Sequence, residues 1–328
     1  MTTLTVYTPS GLLVNGQGLK RAVRRLSDAG FEVSVDPSTL AKQQRFGGDD
    51  ETRLAAIHRV AAARPDIAMA SRGGYGLTRL VDRIDWTLIR RSVDAGTRWV
   101  GYSDLTALQM GLLAHTGSPS WWGPHACDDF GRETLDEVTP DCFVEAMSGA
   151  LEAVGFRTDE GHDGLDVTGT LWGGNLAMLC SLLGTPHWPR VKGGVLLLED
   201  VAEHPYRVER MLLQLCQSGV LARQKALVLG AFSEWRKSPL DRGYDFKAMV
   251  RHVRSVAEVP VLTGFPFGHV ATKVTVPLGV PVQLAVQGRE AYLGWAHAGE
   301  AHAGNTSARH DHDHEPHHGP HEPRFPRG

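Results

Sequence analysis

Three side chains that lie far apart in the sequence could together activate a hydroxyl group for attack on a carbonyl carbon. Ser103 lies within 99–106, where a predicted buried strand turns into a helix, so its hydroxyl should lie beside free backbone N–H groups. Glu199 ends the apolar run 195–198, and His269 lies in an aromatic loop that contains Gly and Pro. A serine nucleophile needs a base, and that base needs an orienting acceptor. These residue types therefore indicate acyl-transfer chemistry.

Each of these residues also has an ordinary structural explanation. A serine at the start of a helix is commonly an N-cap, and Ser103 lies in Gly-Tyr-Ser-Asp, not in the Gly-x-Ser-x-Gly pattern of a nucleophile elbow. Glu199 could simply begin a solvated loop, and His269 could be a packed structural histidine. A catalytic role is favoured over these structural explanations because all three residues lie at the predicted edge of an element.

The elements that must position Ser103 alternate between strand and helix along the first half of the chain. Their periodicity predicts strands over 4–8, 31–35, 66–70 and 98–102, and helices over 18–29, 51–63, 86–93 and 105–115. Such alternation is typical of a parallel sheet with helices on both faces. Ligands of these sheets bind beyond the carboxyl ends of the strands. Three turns should lie there: 9–11, 71–76 and 101–104.

The second half of the chain predicts a smaller α/β domain. Its predicted helices are 175–183, 206–218 and 246–256, and its predicted strands are 194–199, 226–232, 280–285 and 290–294. The stretch between the halves is looser and rich in Gly and Asp. We therefore predict a nucleophile-bearing domain at 1–150, a linker at 151–168 and a C-terminal domain at 169–296 that carries the Glu and His.

The last part of the chain, 297–328, has a different composition. It is crowded with His together with Pro, Gly and acidic residues, a composition that cannot bury a core, and it is predicted to be disordered. A His-rich tract can bind Zn²⁺ or Ni²⁺ weakly, which would make the tail a metal store. A simple solvated tail is the alternative.

Composition excludes several classes of partner. The chain has 328 residues, of which 42% are hydrophobic, and a formal net charge of −3, so nothing favours nucleic acid or an anionic membrane surface. No stretch approaches a membrane span, and the first residues lack the pattern of a signal peptide. The four cysteines form no Cys-x-x-Cys pair, which argues against zinc or a disulfide framework. We expect a cytoplasmic enzyme with no cofactor and no metal in its site.

The whole pattern resembles the LD-carboxypeptidase family of serine peptidases. The matching segments occur in the family's order across about residues 4–295; they are 7–11, 71–76, 101–104, 171–176, 196–200 and 265–269. The resemblance implies a flavodoxin-like parallel-sheet domain, a smaller C-terminal α/β domain and an active site in the interdomain cleft. It also implies a homodimer that trims murein peptides in the cytoplasm.

The resemblance assigns a role to each site residue. Ser103 would be the nucleophile, His269 the general base and Glu199 the group that orients it. The oxyanion hole would consist of backbone N–H groups of Asp104 and of either Gly73 or Gly74. The side chain of Asp104 could contribute as well, or simply favour the helix N-terminus.

A carboxypeptidase must also hold the free carboxylate of its substrate. A guanidinium group does this with two hydrogen bonds, and Arg72 beside the Gly-rich turn is the candidate, with an ordinary surface arginine as the alternative. Asn175 begins a predicted helix after two glycines. It either shapes the substrate site or only caps that helix.

The predicted reaction is release of the terminal D-alanine from the murein tetrapeptide L-Ala-γ-D-Glu-meso-diaminopimelate-D-Ala in cell-wall recycling. The alternative within the family is a microcin-type immunity peptidase that cleaves a peptidyl-adenylate. Such members carry a longer segment before the catalytic glutamate, whereas the segment between Ser103 and Glu199 is short here. A murein-peptide binding protein without activity is the alternative from another class, and the presence of all three triad residue types argues against it. Tolerance for glycan-linked peptide and for the third stem residue stays open.

Overall fold

The computed structural model describes residues 1–296, of which residues 1–295 form one compact unit. The strands are β1 (Thr2–Tyr7), β2 (Phe31–Val35), β3 (Ile67–Ala70), β4 (Arg98–Gly101), β5 (Ser120–Trp122), β6 (Ala153–Arg157), β7 (Asp166–Asn175), β8 (Val195–Val201), β9 (Ala226–Ser233), β10 (Val261–Leu262), β11 (Val276–Leu278), β12 (Pro281–Gln287) and β13 (Glu290–Gly294). The α-helices are α1 (Gln17–Asp28), α2 (Asp50–Ala63), α3 (Trp86–Asp94), α4 (Thr106–Thr116), α5 (Val138–Ser148), α6 (Leu176–Leu182), α7 (Pro205–Gln217) and α8 (Phe246–Val256).

The first sheet has the strand order β11-β5-β4-β3-β1-β2. Strands β1 to β5 pair in parallel, and the order 2-1-3-4-5 within them is that of a flavodoxin-like fold. The predicted α/β class and the flavodoxin-like first sheet are therefore confirmed. Strand β11, which comes from the C-terminal half of the chain, adds antiparallel to β5 and was not predicted.

The second sheet is mixed and has the order β10-β9-β8-β7-β12-β13-β6. Strands β7 to β10 are parallel, whereas β12, β13 and β6 pair antiparallel. The segment predicted as a linker, 151–168, instead contains β6 and the beginning of β7. The division into separate domains stays a prediction.

The sequences of the central strands explain why they lie inside. Every residue of β3 is buried, and β8 is buried from Val195 to Asp200. A parallel strand covered on both faces needs such a continuous apolar run, because neither face meets water. Glu199 is thereby carried into the interior at the carboxyl end of β8.

The segment between β10 and β11 leads from the second sheet to the first. It begins after Leu262 and ends before Val276, and it contains His269. Ser103 follows β4 of the first sheet, and Glu199 belongs to β8 of the second sheet. The connection between the two sheets therefore carries the side chain that must meet both.

Two further predictions concern membrane-spanning helices and the His-rich C-terminal segment. In the part of the chain that the structure describes, none of the helices combines the length and the apolar character that crossing a bilayer requires. The His-rich segment 297–328, with its predicted disorder and weak metal binding, lies outside the described residues.

Candidate active site

The turn that carries Ser103 is tight and unusual. Strand β4 ends at Gly101, whose φ is 157°, and a 3₁₀ turn follows over Ser103–Leu105 before α4 begins. A Cβ atom on Gly101 would lie 2.5 Å from Cδ2 of Leu105, so the turn requires glycine there. Ser103 itself has a φ of 61°, a left-handed conformation that residues other than glycine rarely adopt. The strand–turn–helix geometry is that of a nucleophile elbow, although the sequence pattern differs.

Ser103, His269 and Glu199 form one hydrogen-bonded chain. Nε2 of His269 lies 3.1 Å from Oγ of Ser103, and Nδ1 of His269 lies 2.7 Å from Oε2 of Glu199. The Glu199 side chain is fully buried, and the His269 side chain is 20% exposed. Both distances are within hydrogen-bond reach, so the imidazole can donate to the carboxylate and accept the serine proton.

The electrostatics of this chain favour a charged imidazole. Burial lowers the pKa of His269, but the hydrogen bond and negative charge of Glu199, together with the charge of Asp200, outweigh it. The net result is a pKa above the ordinary value for histidine. Glu199 thus stabilises the imidazolium that forms when His269 accepts a proton.

Asn175 holds the two carboxylates at the end of β8. Its Nδ2 lies 3.2 Å from Oε1 of Glu199 and 2.9 Å from Oδ1 of Asp200, and its Oδ1 accepts from the Met178 N–H at 3.1 Å. Burial and the neighbouring Glu199 raise the pKa of Asp200 to about 6. Asn175 therefore caps α6 and engages Glu199, whereas substrate binding by Asn175 stays a prediction.

The Asp104 side chain joins the Ser103 turn to two other segments at the edge of the first sheet. Its Oδ2 accepts from Oγ of Ser10 at 2.7 Å and from the Leu77 N–H at 2.9 Å. The side chain is buried, and burial raises the pKa of its carboxyl group. Asp104 therefore links the Ser103 turn to Ser10 and to the start of the 3₁₀ turn at Leu77, which goes beyond favouring the helix N-terminus.

The two glycines of the Gly-rich turn have different neighbours. A Cβ atom on Gly73 would lie 2.7 Å from Cβ and 2.8 Å from Oγ of Ser103, whereas one on Gly74 would lie 3.2 Å from Cα of Gly11. Gly74 also has a φ of 114°. Gly73 is thus the glycine whose missing side chain lets the loop approach Ser103 closely.

The Arg72 side chain contacts the segment that follows β1. Its Nη1 donates to the Leu12 carbonyl at 3.0 Å, and its Nε is buried without a protein partner. The pKa of the nearby Asp128 carboxyl group is raised by burial. It is nevertheless below the ordinary value, because it is lowered by His125, by Arg72 and by the Gly73 N–H. A role for Arg72 in binding a substrate carboxylate stays a prediction.

Sequence reasoning missed a group of buried polar residues around Tyr102, the residue before Ser103. They are His125, Asp129 and Lys273, and each is almost inaccessible to solvent. His125 follows the three-residue strand β5, which is too short to show a periodic pattern. Lys273 lies four residues after His269, and nothing in the local sequence marks it as buried. Among residues 1–296, no group of three or more His, Cys, Asp or Glu side chains could hold a metal ion.

Comparison with known proteins places the chain in a family. Residues 4–123 match the LD-carboxypeptidase N-terminal domain, and residues 168–284 match the LD-carboxypeptidase C-terminal domain. A putative carboxypeptidase of Streptomyces coelicolor is 33% identical over 290 residues, which cover 86% of this chain and 89% of the relative. A probable murein peptide carboxypeptidase of Bacillus subtilis is 28% identical over 275 residues, which cover 80% of this chain and 82% of the relative. The chain belongs to the LD-carboxypeptidase family and is a peptidase.

Solved structures agree with the two-sheet architecture. A muramoyltetrapeptide carboxypeptidase from Oxalobacter formigenes has a TM-score of 0.82 and 41% sequence identity, with coverage of 89% of this chain and 98% of that chain. A microcin C7 self-immunity protein has a TM-score of 0.78 at 22% identity, with coverage of 90% and 96%. At that identity, the second likeness concerns the fold alone.

Proposed function

We propose that the protein is a serine-type LD-carboxypeptidase that releases the terminal D-alanine from murein tetrapeptide during cell-wall recycling. The observation that carries the proposal is the hydrogen-bonded chain from Ser103 through His269 to Glu199. The names of the relatives from Bacillus subtilis and Oxalobacter formigenes support murein peptide as the substrate class.

In this mechanism Ser103 is the nucleophile and His269 is the general base. As Oγ of Ser103 attacks the carbonyl carbon between diaminopimelate and D-alanine, its proton passes to Nε2 of His269. The tetrahedral intermediate then collapses, and His269 gives that proton to the departing amine of D-alanine. Water, activated by the same imidazole, hydrolyses the acyl-enzyme and restores Ser103. Glu199 keeps Nδ1 of His269 protonated and stabilises the imidazolium.

The oxyanion of the intermediate needs donors that are already in place. We assign this role to the backbone N–H of Asp104, which follows the nucleophile, and to one N–H of the Gly73–Gly74 turn. Each donor of this kind contributes roughly 2.7–4 kcal/mol to the transition state. The contact between Gly73 and Ser103 supports the assignment, because it brings this turn to the reacting atoms.

The setting of the reaction is part of the proposal. We infer that substrate binds in a cleft between the 1–150 and 169–296 parts of the chain, with Arg72 on its terminal carboxylate. Family resemblance favours a cytoplasmic homodimer.

A second candidate is a microcin-type immunity peptidase that cleaves a peptidyl-adenylate. The observation in its favour is the likeness in fold to the microcin C7 self-immunity protein. The short segment between Ser103 and Glu199 argues for the murein substrate instead.

The test is incubation with L-Ala-γ-D-Glu-meso-diaminopimelate-D-Ala and measurement of released D-alanine by mass spectrometry, with Ser103→Ala in parallel. Release by the natural protein and a loss of at least about 10³-fold in Ser103→Ala are expected, since a nucleophile and its base act as a unit. Release at similar rates by both proteins would overturn the role of Ser103. Cleavage of a peptidyl-adenylate but not of the tetrapeptide would favour the immunity peptidase. Tight binding of the tetrapeptide without turnover would identify a binding protein.

A further inference from the structure

Lys273 is a fully buried lysine that contacts a chain neighbour of the candidate nucleophile and a chain neighbour of the candidate base. Its Nζ donates to Oδ1 of Asp129 and, at 2.7 Å, to the carbonyl of Val270, the residue after His269. The same Nζ lies 5.0 Å from the ring centroid of Tyr102, the residue before Ser103. The ammonium group therefore contacts the chain immediately beside each reacting residue.

Asp129 extends this network to the backbone of the nucleophile turn. Its Oδ2 accepts from the His125 N–H at 2.8 Å. Nε2 of His125 lies 3.2 Å from the nitrogen and 3.1 Å from the oxygen of Tyr102, and the two rings stack with centroids 4.2 Å apart. The Tyr102 ring also packs edge-to-face with the His269 ring, and their centroids lie 5.0 Å apart.

A buried ion pair is a poor way to stabilise a fold, because desolvation of the two charges can exceed their attraction. The Lys273 side chain is 0% exposed and that of Asp129 is 2% exposed, so the pair carries this cost in full. A well-packed apolar pair would hold the fold equally well. The contacts made by Lys273 suggest what the charges do instead.

We propose that Lys273 is a positioning residue that, together with Asp129, holds the Tyr102–Ser103 turn and the His269 loop at their reactive separation. The proposal rests on the proposed function, because it takes Ser103 as nucleophile and His269 as base. Lys273 also faces the base electrostatically. Its positive charge opposes protonation of His269, whereas Glu199 and Asp200 favour it.

The test uses a reaction that does not depend on the natural substrate. A fluorophosphonate phosphonylates an activated serine: the Oγ–P bond forms, fluoride leaves, and the serine proton passes to His269 and then to water. The rate of labelling at Ser103, followed by intact mass across a range of pH, reports both the geometry and the protonation of the base. Turnover of murein tetrapeptide, with kcat and KM determined separately, is measured beside it.

The variants are Lys273→Met, Asp129→Asn and the double variant. For Lys273→Met we expect kcat and the labelling rate to fall at least about tenfold, with KM within about twofold, since substrate contacts are untouched. The acidic limb of the labelling profile should move to higher pH in Lys273→Met, because the positive charge that opposes protonation of His269 is removed. A merely structural pair would leave kcat and the labelling rate of the folded variants unchanged.

The double variant separates positioning from stability. It leaves no unpaired buried charge, so it should unfold at a higher temperature than either single variant and yet stay slow in labelling and turnover. The matched control is Lys225→Met, since Lys225 also donates to a backbone carbonyl, that of Thr168 at 2.6 Å, but lies at the amino end of β9. This control should keep natural rates.

The outcomes distinguish the two proposals. Failure of the natural protein to label or to turn over peptide would contradict the proposed function. Natural labelling with unchanged rates and pH profiles in a folded Lys273→Met or double variant would overturn the positioning role alone. If the single variants do not fold, natural rates in the double variant would overturn that role by themselves.

Discussion

Ser103 adopts a backbone conformation that other contacts must maintain. A residue with a side chain at a φ of 61° is strained by about 1–3 kcal/mol, and such strain persists only where the surroundings over-determine it. The Asp104 carboxylate, bound to Ser10 and to the Leu77 N–H, supplies that constraint directly after the serine. Strain at one residue is therefore maintained by hydrogen bonds from two distant turns.

The role of Glu199 predicts a large effect from a nearly isosteric change. Glu199→Gln should lower kcat about 10³–10⁴-fold, because an amide in place of the carboxylate favours the wrong imidazole tautomer and no longer stabilises the imidazolium. Kinetics on murein tetrapeptide would measure this. Glu290→Gln is the matched control, since Glu290 is half exposed and lies 3.8 Å from Arg157 on the outer strands. A Glu199→Gln enzyme within tenfold of the natural rate would contradict the orienting role.

The raised pKa of His269 predicts the pH dependence of the reaction. A general base acts in its neutral form, so activity should be low at acid pH and rise through a pKa above about 6.5, the ordinary histidine value. The acidic limb of kcat/KM reports this pKa for the free enzyme. In Glu199→Gln the limb of the residual activity should move to lower pH. A limb that stays in place after the loss of Glu199 would show that another group titrates.

At the scale of elements, Ser103 lies in a turn and His269 in a loop, whereas Glu199 lies near the carboxyl end of β8. The carboxyl ends of β1, β3 and β4 bring three turns together, as parallel pairing requires. The close approach of these turns depends on small residues, since a Cβ atom on Gly73 would lie only 2.7 Å from Cβ of Ser103.

Gly73→Ala should inactivate the enzyme without unfolding it. The new methyl group would lie within 2.8 Å of Oγ of Ser103, so the loop or the serine must move, and kcat should fall at least about 10²-fold through lost geometry. Gly18→Ala is the control: Gly18 lies in α1, and its nearest new neighbour would be 3.7 Å away. That change should keep activity and stabilise the protein by about 0.5–1 kcal/mol. Full activity in a folded Gly73→Ala variant would show that the loop does not contact the reacting serine.

At the scale of the whole molecule, one strand from the C-terminal half of the chain joins the first sheet and so links the two halves. Strand β11 comes from the C-terminal half but completes the first sheet beside β5, and Trp122 of β5 packs against Phe267 with ring centroids 3.8 Å apart. The 1–150 part of the chain therefore lacks one of the strands of its own sheet.

This arrangement predicts cooperative unfolding. Calorimetry of the full chain should show one transition whose calorimetric and van't Hoff enthalpies agree, because the first sheet cannot persist once β11 is lost. Leu278→Ala in β11, where the leucine is 1% exposed, should lower the free energy of unfolding by about 2–5 kcal/mol and keep a single transition. Two separate transitions, or a fragment 1–150 that folds alone, would show that the halves are independent.

The amino-acid sequence by itself predicted most of the helices and many of the strands, although not α5, β5 or β6, and it pointed to the residues of the hydrogen-bonded chain. Apolar periodicity and continuous apolar runs reveal α1 and β8, because burial of a face or of a whole strand acts on neighbouring residues. Ser103, Glu199 and His269 could be singled out from the sequence for the same reason, since each follows or ends a recognisable element.

Only the tertiary structure decided the register of the two sheets and the polar packing behind the site. Strand β11 has three residues, and its pairing with β5 spans more than half of the described chain, so no local pattern predicts it. The contact of Lys273 with Asp129 joins residues 144 positions apart and contradicts the usual exposure of lysine. Such contacts form because two distant segments are brought together by the remaining fold, and that information is distributed over the whole chain.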